Sequence, residues 1–160
     1  RVIIEHGGAV VKAIGDAVMF TAPDAPAAAE TAIGLHALTS DGALPSLRIG
    51  LASGVALTRM GDVFGEPVNI AARLASAARS GTTLVDDTLA AALAGDRAFY
   101  LNHLSALSVR GYRRLRASAL ARNRHADDAD TGDSASDRKR RAKEEKAEKK
   151  AAKKAAPPPE

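Results

Sequence analysis

The sequence predicts an α+β domain, an antiparallel-rich sheet with helices packed against it. Two observations carry that reading. Short apolar, β-branched runs come in pairs around turn residues, the clearest being Ala9–Ile14 and residues 18–21 on either side of Gly15-Asp16. Between the pairs stand longer Ala-rich or amphipathic runs bounded by Pro, Asp and Gly, as expected of helices that cross from one strand to another.

In chain order, Val2–Glu5 reads as the end of a helix already under way, and a chain starting at Arg1 rather than Met reads as truncated at its N-terminus. The two runs around Gly15-Asp16 form an antiparallel hairpin. Pro23-Asp24 breaks the strand pattern, and residues 25–38 place Ala29, Ile33, His36 and Ala37 on one face of a helix that Asp41-Gly42 ends. Residues 47–52 are a buried strand, expected to continue after Ser53-Gly54 into residues 55–58 as the second arm of another hairpin. Pro67 suits the first turn of a helix running to about Arg79 and stopped by Ser80-Gly81. Residues 83–85 form a short strand, and Asp86 or Asp87 caps a helix through Leu93. Residues 99–120 are expected to add two edge strands around Gly111.

A chain of 160 residues, 46% hydrophobic, has room for one core. It has no cysteine, so disulfide frameworks and thiolate metal sites are excluded, in keeping with a cytoplasmic setting. No apolar run approaches the roughly 20 residues of a membrane span, although a membrane tether or sensor domain upstream stays open. Aromatic residues make up 3% and Trp is absent, which disfavours base-stacking platforms. The four histidines, His6, His36, His103 and His125, show no zinc spacing. The glycines lack the Gly-Lys-Ser/Thr ending of a P-loop, and no Gly-x-Ser-x-Gly elbow occurs.

Two segments carry the chemistry: Val11-Lys12-Ala13-Ile14-Gly15-Asp16, and Asp62-Val63-Phe64-Gly65-Glu66-Pro67-Val68-Asn69-Ile70-Ala71-Ala72-Arg73. Taken singly, Gly-Asp is a common turn and Lys12, Asp62, Asn69 and Arg73 are ordinary surface residues. Together, the two segments resemble the active-site halves of a class III adenylate/guanylate cyclase catalytic domain of the bacterial adenylate cyclase type. Leu47-Arg48-Ile49-Gly50-Leu51-Ala52-Ser53-Gly54 resembles the strand and turn that precede the family's substrate loop, with Ala52 where a histidine is frequent. The implied fold is the ferredoxin-like nucleotidyl cyclase fold, and the implied activity is conversion of ATP to 3′,5′-cyclic AMP and pyrophosphate.

The resemblance assigns Asp16 to metal binding, and a hard cation such as Mg²⁺ or Mn²⁺ does favour carboxylate oxygen at an exposed turn. It assigns Lys12 and Asp62 to adenine. An ammonium matches the acceptor N1 and a carboxylate matches the N6 amino donor, whereas guanine presents the opposite pattern. Asn69 and Arg73 lie four apart on one helical face. The resemblance has Asn69 orient the ribose and Arg73 offset charge on the α-phosphate, a task suited to a planar, permanently charged fork. Arg59 is a weaker candidate for the triphosphate.

The family implies two metals per site and a head-to-tail homodimer with shared sites, Asp16 of one subunit working with Lys12, Asp62, Asn69 and Arg73 of the other. It also implies a second metal-binding aspartate on a strand well upstream, whereas Glu5 is the sole acid among the fifteen residues before Asp16. The first strand and helix of the fold are therefore expected to be missing, with a sheet edge exposed and little activity from this chain alone. Residues 1–120 read as the partial catalytic domain, 121–137 as an acidic linker, and 138–160 as a disordered Lys/Ala-rich tail. The alternatives are a non-catalytic cyclase-like dimerisation or regulatory module and, more weakly, an adaptor whose basic tail contacts nucleic acid or anionic lipid.

Overall fold

A computed structural model of the chain describes residues 1–40, 42, 44–109 and 111–123. The expected helix stop at Asp41, His125, the 127–137 part of the linker and the tail from 138 lie outside the described residues.

The first hairpin forms as the sequence predicts. After a single helical turn, α1 (Val2–Glu5), strands β1 (Ala9–Ile14) and β2 (Ala17–Thr21) pair antiparallel, with Ile14 opposite Ala17 across the Gly15-Asp16 turn. Helix α2 (Ala25–Ala37) begins where Asp24 accepts the Ala27 N–H at 2.8 Å, one of the donors a helix start leaves without a partner. Its buried face is Ala28, Ala29, Thr31 and Ala32, small residues that let the helix approach a sheet closely.

Strand β3 (Arg48–Leu51) does not turn back into a hairpin. It pairs in parallel with β6 (Thr82–Asp86), the connection passing through helix α3 (Glu66–Ala77). The expected partner strand at residues 55–58 is corrected to β4 (Leu57–Arg59), which pairs with β5 (Asp62–Phe64). The physical reason is the Met60-Gly61 turn. Both residues have positive φ, 53° and 77°, the combination that matches the twist of a two-residue hairpin.

Helix α4 (Asp87–Leu93) follows β6, and Asp86 is its cap. Residues 99–120, expected to give two edge strands, instead contribute to four: β7 (Phe99–His103), β8 (Leu107–Val109), β9 (Tyr112–Leu115) and β10 (Ala117–Arg122). β10 is not at an edge, since the larger sheet runs β3-β6-β10-β7. Its Ala-Ser-Ala start has little strand propensity, and burial on both sides overrides that weak local signal.

Alternation along β6 separates two cores. Val85 faces Ala28, Ala29 and Ala32 of α2 and Leu89, Ala90 and Leu93 of α4, while Leu84 faces Leu74 and Ala78 on the α3 side. Leu74 and Leu93 are essentially inaccessible, and burial of each contributes about 1.5–3 kcal/mol. Arg122 of β10 forms a two-pronged ion pair with Glu30 of α2, at 2.7 and 2.5 Å. β3 is the terminal strand of the larger sheet, and β1–β2 and β4–β5 form ladders of their own. No helix among the described residues is long and apolar enough to cross a membrane.

Candidate active site

Lys12 lies in the middle of β1 and Asp62 opens β5, fifty residues later. Their side chains meet, the Lys12 Nζ donating to Asp62 Oδ2 at 2.5 Å. The Val63 N–H donates to the other carboxylate oxygen at 2.8 Å. The Lys12 hydrogen bond, with the Val63 amide, holds the Asp62 carboxyl below the usual carboxylate range, against a smaller opposing effect of desolvation. Both side chains keep part of their surface in water, 40% for Lys12 and 29% for Asp62. The pair is thus reachable by a ligand that offers a matching acceptor and donor.

Only Gly65 separates β5 from α3, so the hairpin that carries Asp62 leads straight into the helix that carries Asn69 and Arg73. Asn69 is exposed and Arg73 half-buried, one helical turn apart. Arg73 makes no ion pair among the described residues. Two close approaches set the position of α3. A Cβ at Gly50 of β3 would stand 2.1 Å from the Ala71 carbonyl oxygen and 2.3 Å from the Ala75 nitrogen, so the helix backbone rests directly on the strand. A Cβ at Gly54 would meet the Pro67 ring at 2.7 Å.

Asp16 is exposed at the tip of the β1–β2 turn. No group of three or more His, Cys, Asp or Glu residues among those described is arranged to hold a metal ion. Asp16 by itself supplies one carboxylate, fewer oxygens than Mg²⁺ or Mn²⁺ takes. The structure therefore joins Lys12 to Asp62 and carries Asn69 and Arg73 on the adjoining helix, while Asp16 stands on a separate turn. Arg59 lies opposite Asp62 in the β4–β5 ladder, and its side chain is exposed.

The histidines within the described residues serve the fold. His6 Nδ1 bonds the Val2 carbonyl, His36 Nε2 bonds Thr83 Oγ1 at 2.9 Å, and His103 bonds Ser118. Burial lowers the His36 pKa from its ordinary 6.5. Sequence reasoning missed a second job for Asp86. Besides capping α4, its Oδ1 accepts the Ser53 N–H at 3.2 Å. An Asp three residues before Leu89 signals the cap, but no local pattern signals a partner 33 residues away.

Residues 1–121 match the family model of the adenylate and guanylate cyclase catalytic domain. An adenylate cyclase of Streptomyces coelicolor is 46% identical over 89 residues, covering 55% of this chain and 23% of the relative. One of Streptomyces griseus is 50% identical over 82 residues, covering 51% and 21%. The chain thus spans less than a quarter of the length of these curated relatives. Among solved structures, an adenylate/guanylate cyclase/hydrolase from Silicibacter pomeroyi superposes with a TM-score of 0.67 at 26% identity, covering 75% of this chain and 76% of that one. The chain belongs to the adenylate and guanylate cyclase catalytic domain family.

Proposed function

We propose that this chain is part of an adenylate cyclase that converts ATP to 3′,5′-cyclic AMP and pyrophosphate. The observation that carries the reading is the Lys12–Asp62 contact, an ammonium and a carboxylate brought together from separate hairpins. In the ligand complex Lys12 donates to adenine N1 and Asp62 accepts from the N6 amino group. Guanine, with O6 accepting and N1–H donating, meets the wrong partner at each position.

The ribose 3′-oxygen attacks the α-phosphorus, a P–O bond forms, and the bond to the bridging α–β oxygen breaks. Pyrophosphate leaves with the electron pair, and the hydroxyl proton passes to solvent. Asn69 orients the ribose through its amide. Arg73 offsets the negative charge that builds on the α-phosphoryl oxygens, where a preorganised cation acts most strongly.

A divalent cation, Mg²⁺ or Mn²⁺, is expected from the family and would supply charge neutralisation. Asp16 is the residue of this chain that would hold it, one carboxylate of the several oxygens such a cation takes. The active unit is a head-to-tail homodimer in which the partner subunit's Asp16 contributes its carboxylate to the site. Exposed apolar side chains on the β4–β5 hairpin and the loop leading into it support a contact with another chain: Val55 is 95% exposed, Met60 96% and Leu57 65%. Residues 1–120 act as part of the catalytic domain, 121–137 as linker and 138–160 as a charged tail.

Product identity tests the reading. The protein expressed from the whole reading frame that contains this chain should yield cyclic AMP from ATP and far less cyclic GMP from GTP, while residues 1–160 alone should be nearly silent. A preference for GTP would overturn the adenine assignment. Silence of the whole reading frame with both nucleotides would favour a non-catalytic dimerising module.

A further inference from the structure

We infer that Asp86 is a positioning residue for the nucleotide site, acting through the Ser53 amide to hold the loop between β3 and β4. The inference rests on the adenine-site reading above and adds a residue to it.

Asp86 is a carboxylate with only 5% of its surface exposed, and one of its oxygens takes two amide protons. The Leu89 N–H at 3.0 Å is the helix cap. The Ser53 N–H at 3.2 Å belongs to a different part of the chain. The parallel β3–β6 ladder ends at the Leu51–Val85 pair, and the Asp86 side chain takes the Ser53 N–H two residues beyond that end. Removing the Asp86 acceptor is costly at the Leu89 amide, which is buried, and at the exposed Ser53 it frees the loop to take water as a partner instead of the carboxylate.

What this bond fixes is the loop from which the site hangs. Gly54, next in the chain, lies against the Pro67 ring in the first turn of α3, two residues before Asn69. Val55 places its carbonyl oxygen 3.1 Å from where a Cβ on Gly65 would stand, and Gly65 joins β5 to α3. From residue 57 the chain enters β4 and then β5, which begins with Asp62. One carboxylate therefore anchors the segment that supports both the base-reading hairpin and the start of the ribose-facing helix. Asp86 touches neither Lys12 nor Asp62 and acts through Ser53.

Three variants separate this role from helix capping. Asp86→Ala removes both hydrogen bonds, Asp86→Asn retains an acceptor for both, and Ser53→Pro removes the loop donor, stiffening rather than loosening the backbone at that residue, while leaving the α4 cap. Backbone amide exchange is measured on each, together with affinity for a fluorescent ATP analogue, in the protein expressed from its whole reading frame. Loss of a hydrogen bond of this kind is worth about fivefold, so Ser53→Pro and Asp86→Ala should speed exchange in β4–β5 and weaken analogue binding by about that factor or more. Asp86→Asn should stay close to wild type in both, and α4 should loosen in Asp86→Ala but not in Ser53→Pro.

If Asp86→Ala fails to fold, Ser53→Pro still decides the matter. Unchanged hairpin exchange in Ser53→Pro overturns the tether, and faster exchange with unchanged affinity overturns its role in positioning the site. Failure of the wild type to bind the analogue would instead overturn the nucleotide reading, which exchange of the hairpin amides does not test.

Discussion

Lys12, with the Val63 amide, holds the Asp62 carboxyl below its ordinary pKa, and the two side chains have opposite demands on a ligand. In the proposed adenine site, removing either one would leave the other facing the base without its counterpart. Asp62→Ala should weaken ATP binding by about tenfold or more and narrow the preference for ATP over GTP, as nucleotide titrations would show. Because the folded-state pKa of Asp62 is depressed, its contribution to stability is present above the ordinary value of 3.8 and fades as pH falls through the lower folded value. His36 has the same sign for a different reason. Burial disfavours its cation, so the unfolded chain takes up a proton first as pH drops below 6.5, and stability falls with it. Thermal melts of His36→Gln should show a shallower loss between about pH 7 and pH 5 than the wild type. The pairing of Lys12 with Asp62, and the helix shared by Asn69 and Arg73, could be read from the sequence because these residues stand in two short segments with characteristic spacing. The bonds between Asp86 and Ser53 and between Thr83 and His36 could not, since a bond across 33 or 47 residues leaves no local trace.

At the scale of elements, the decisive contact is α3 lying on β3. Gly50→Ala would drive a methyl group into the backbone of Ala71 and Ala75, atoms that cannot rotate out of the way. The helix must lift, and denaturant titration should register a loss of about 1–3 kcal/mol or more, with Asn69 and Arg73 displaced as well. Leu74→Ala, on the buried face of the same helix, should cost about 2–5 kcal/mol. The first hairpin, α2, α3 and α4 were readable because caps, prolines and turn residues punctuate them. The β4–β5 hairpin was not foreseen, because residues 55–58 were expected to pair back onto residues 47–52. Its turn is Met60-Gly61, and Met is not a residue that announces a positive φ. β10 was misread as an edge because Ala and Ser carry almost no strand signal, and its central place is set by pairing with β6 and β7, which only the folded chain reveals.

For the molecule as a whole, the exposed apolar residues of the β4–β5 hairpin and the loop leading into it and the half-open Lys12–Asp62 pair point the same way. In the proposed dimer the apolar residues would meet a second copy of the chain, and the Lys12–Asp62 pair would take the base at the edge of that contact. Replacing Val55 and Met60 with Ser should leave the fold intact, as both are almost fully exposed, while shifting sedimentation of the whole protein toward monomer and lowering its cyclase activity. The most direct test of the central claim is the rate of cyclic AMP release from ATP with Mn²⁺, for the whole reading frame and for its Arg73→Ala variant. Cyclic AMP and pyrophosphate should appear in equal amounts from the wild type. The variant should be slower by about a hundredfold or more, the loss expected when a transition-state cation is removed. An Arg73→Ala protein as fast as the wild type, or a wild type that makes no cyclic AMP, would contradict the account.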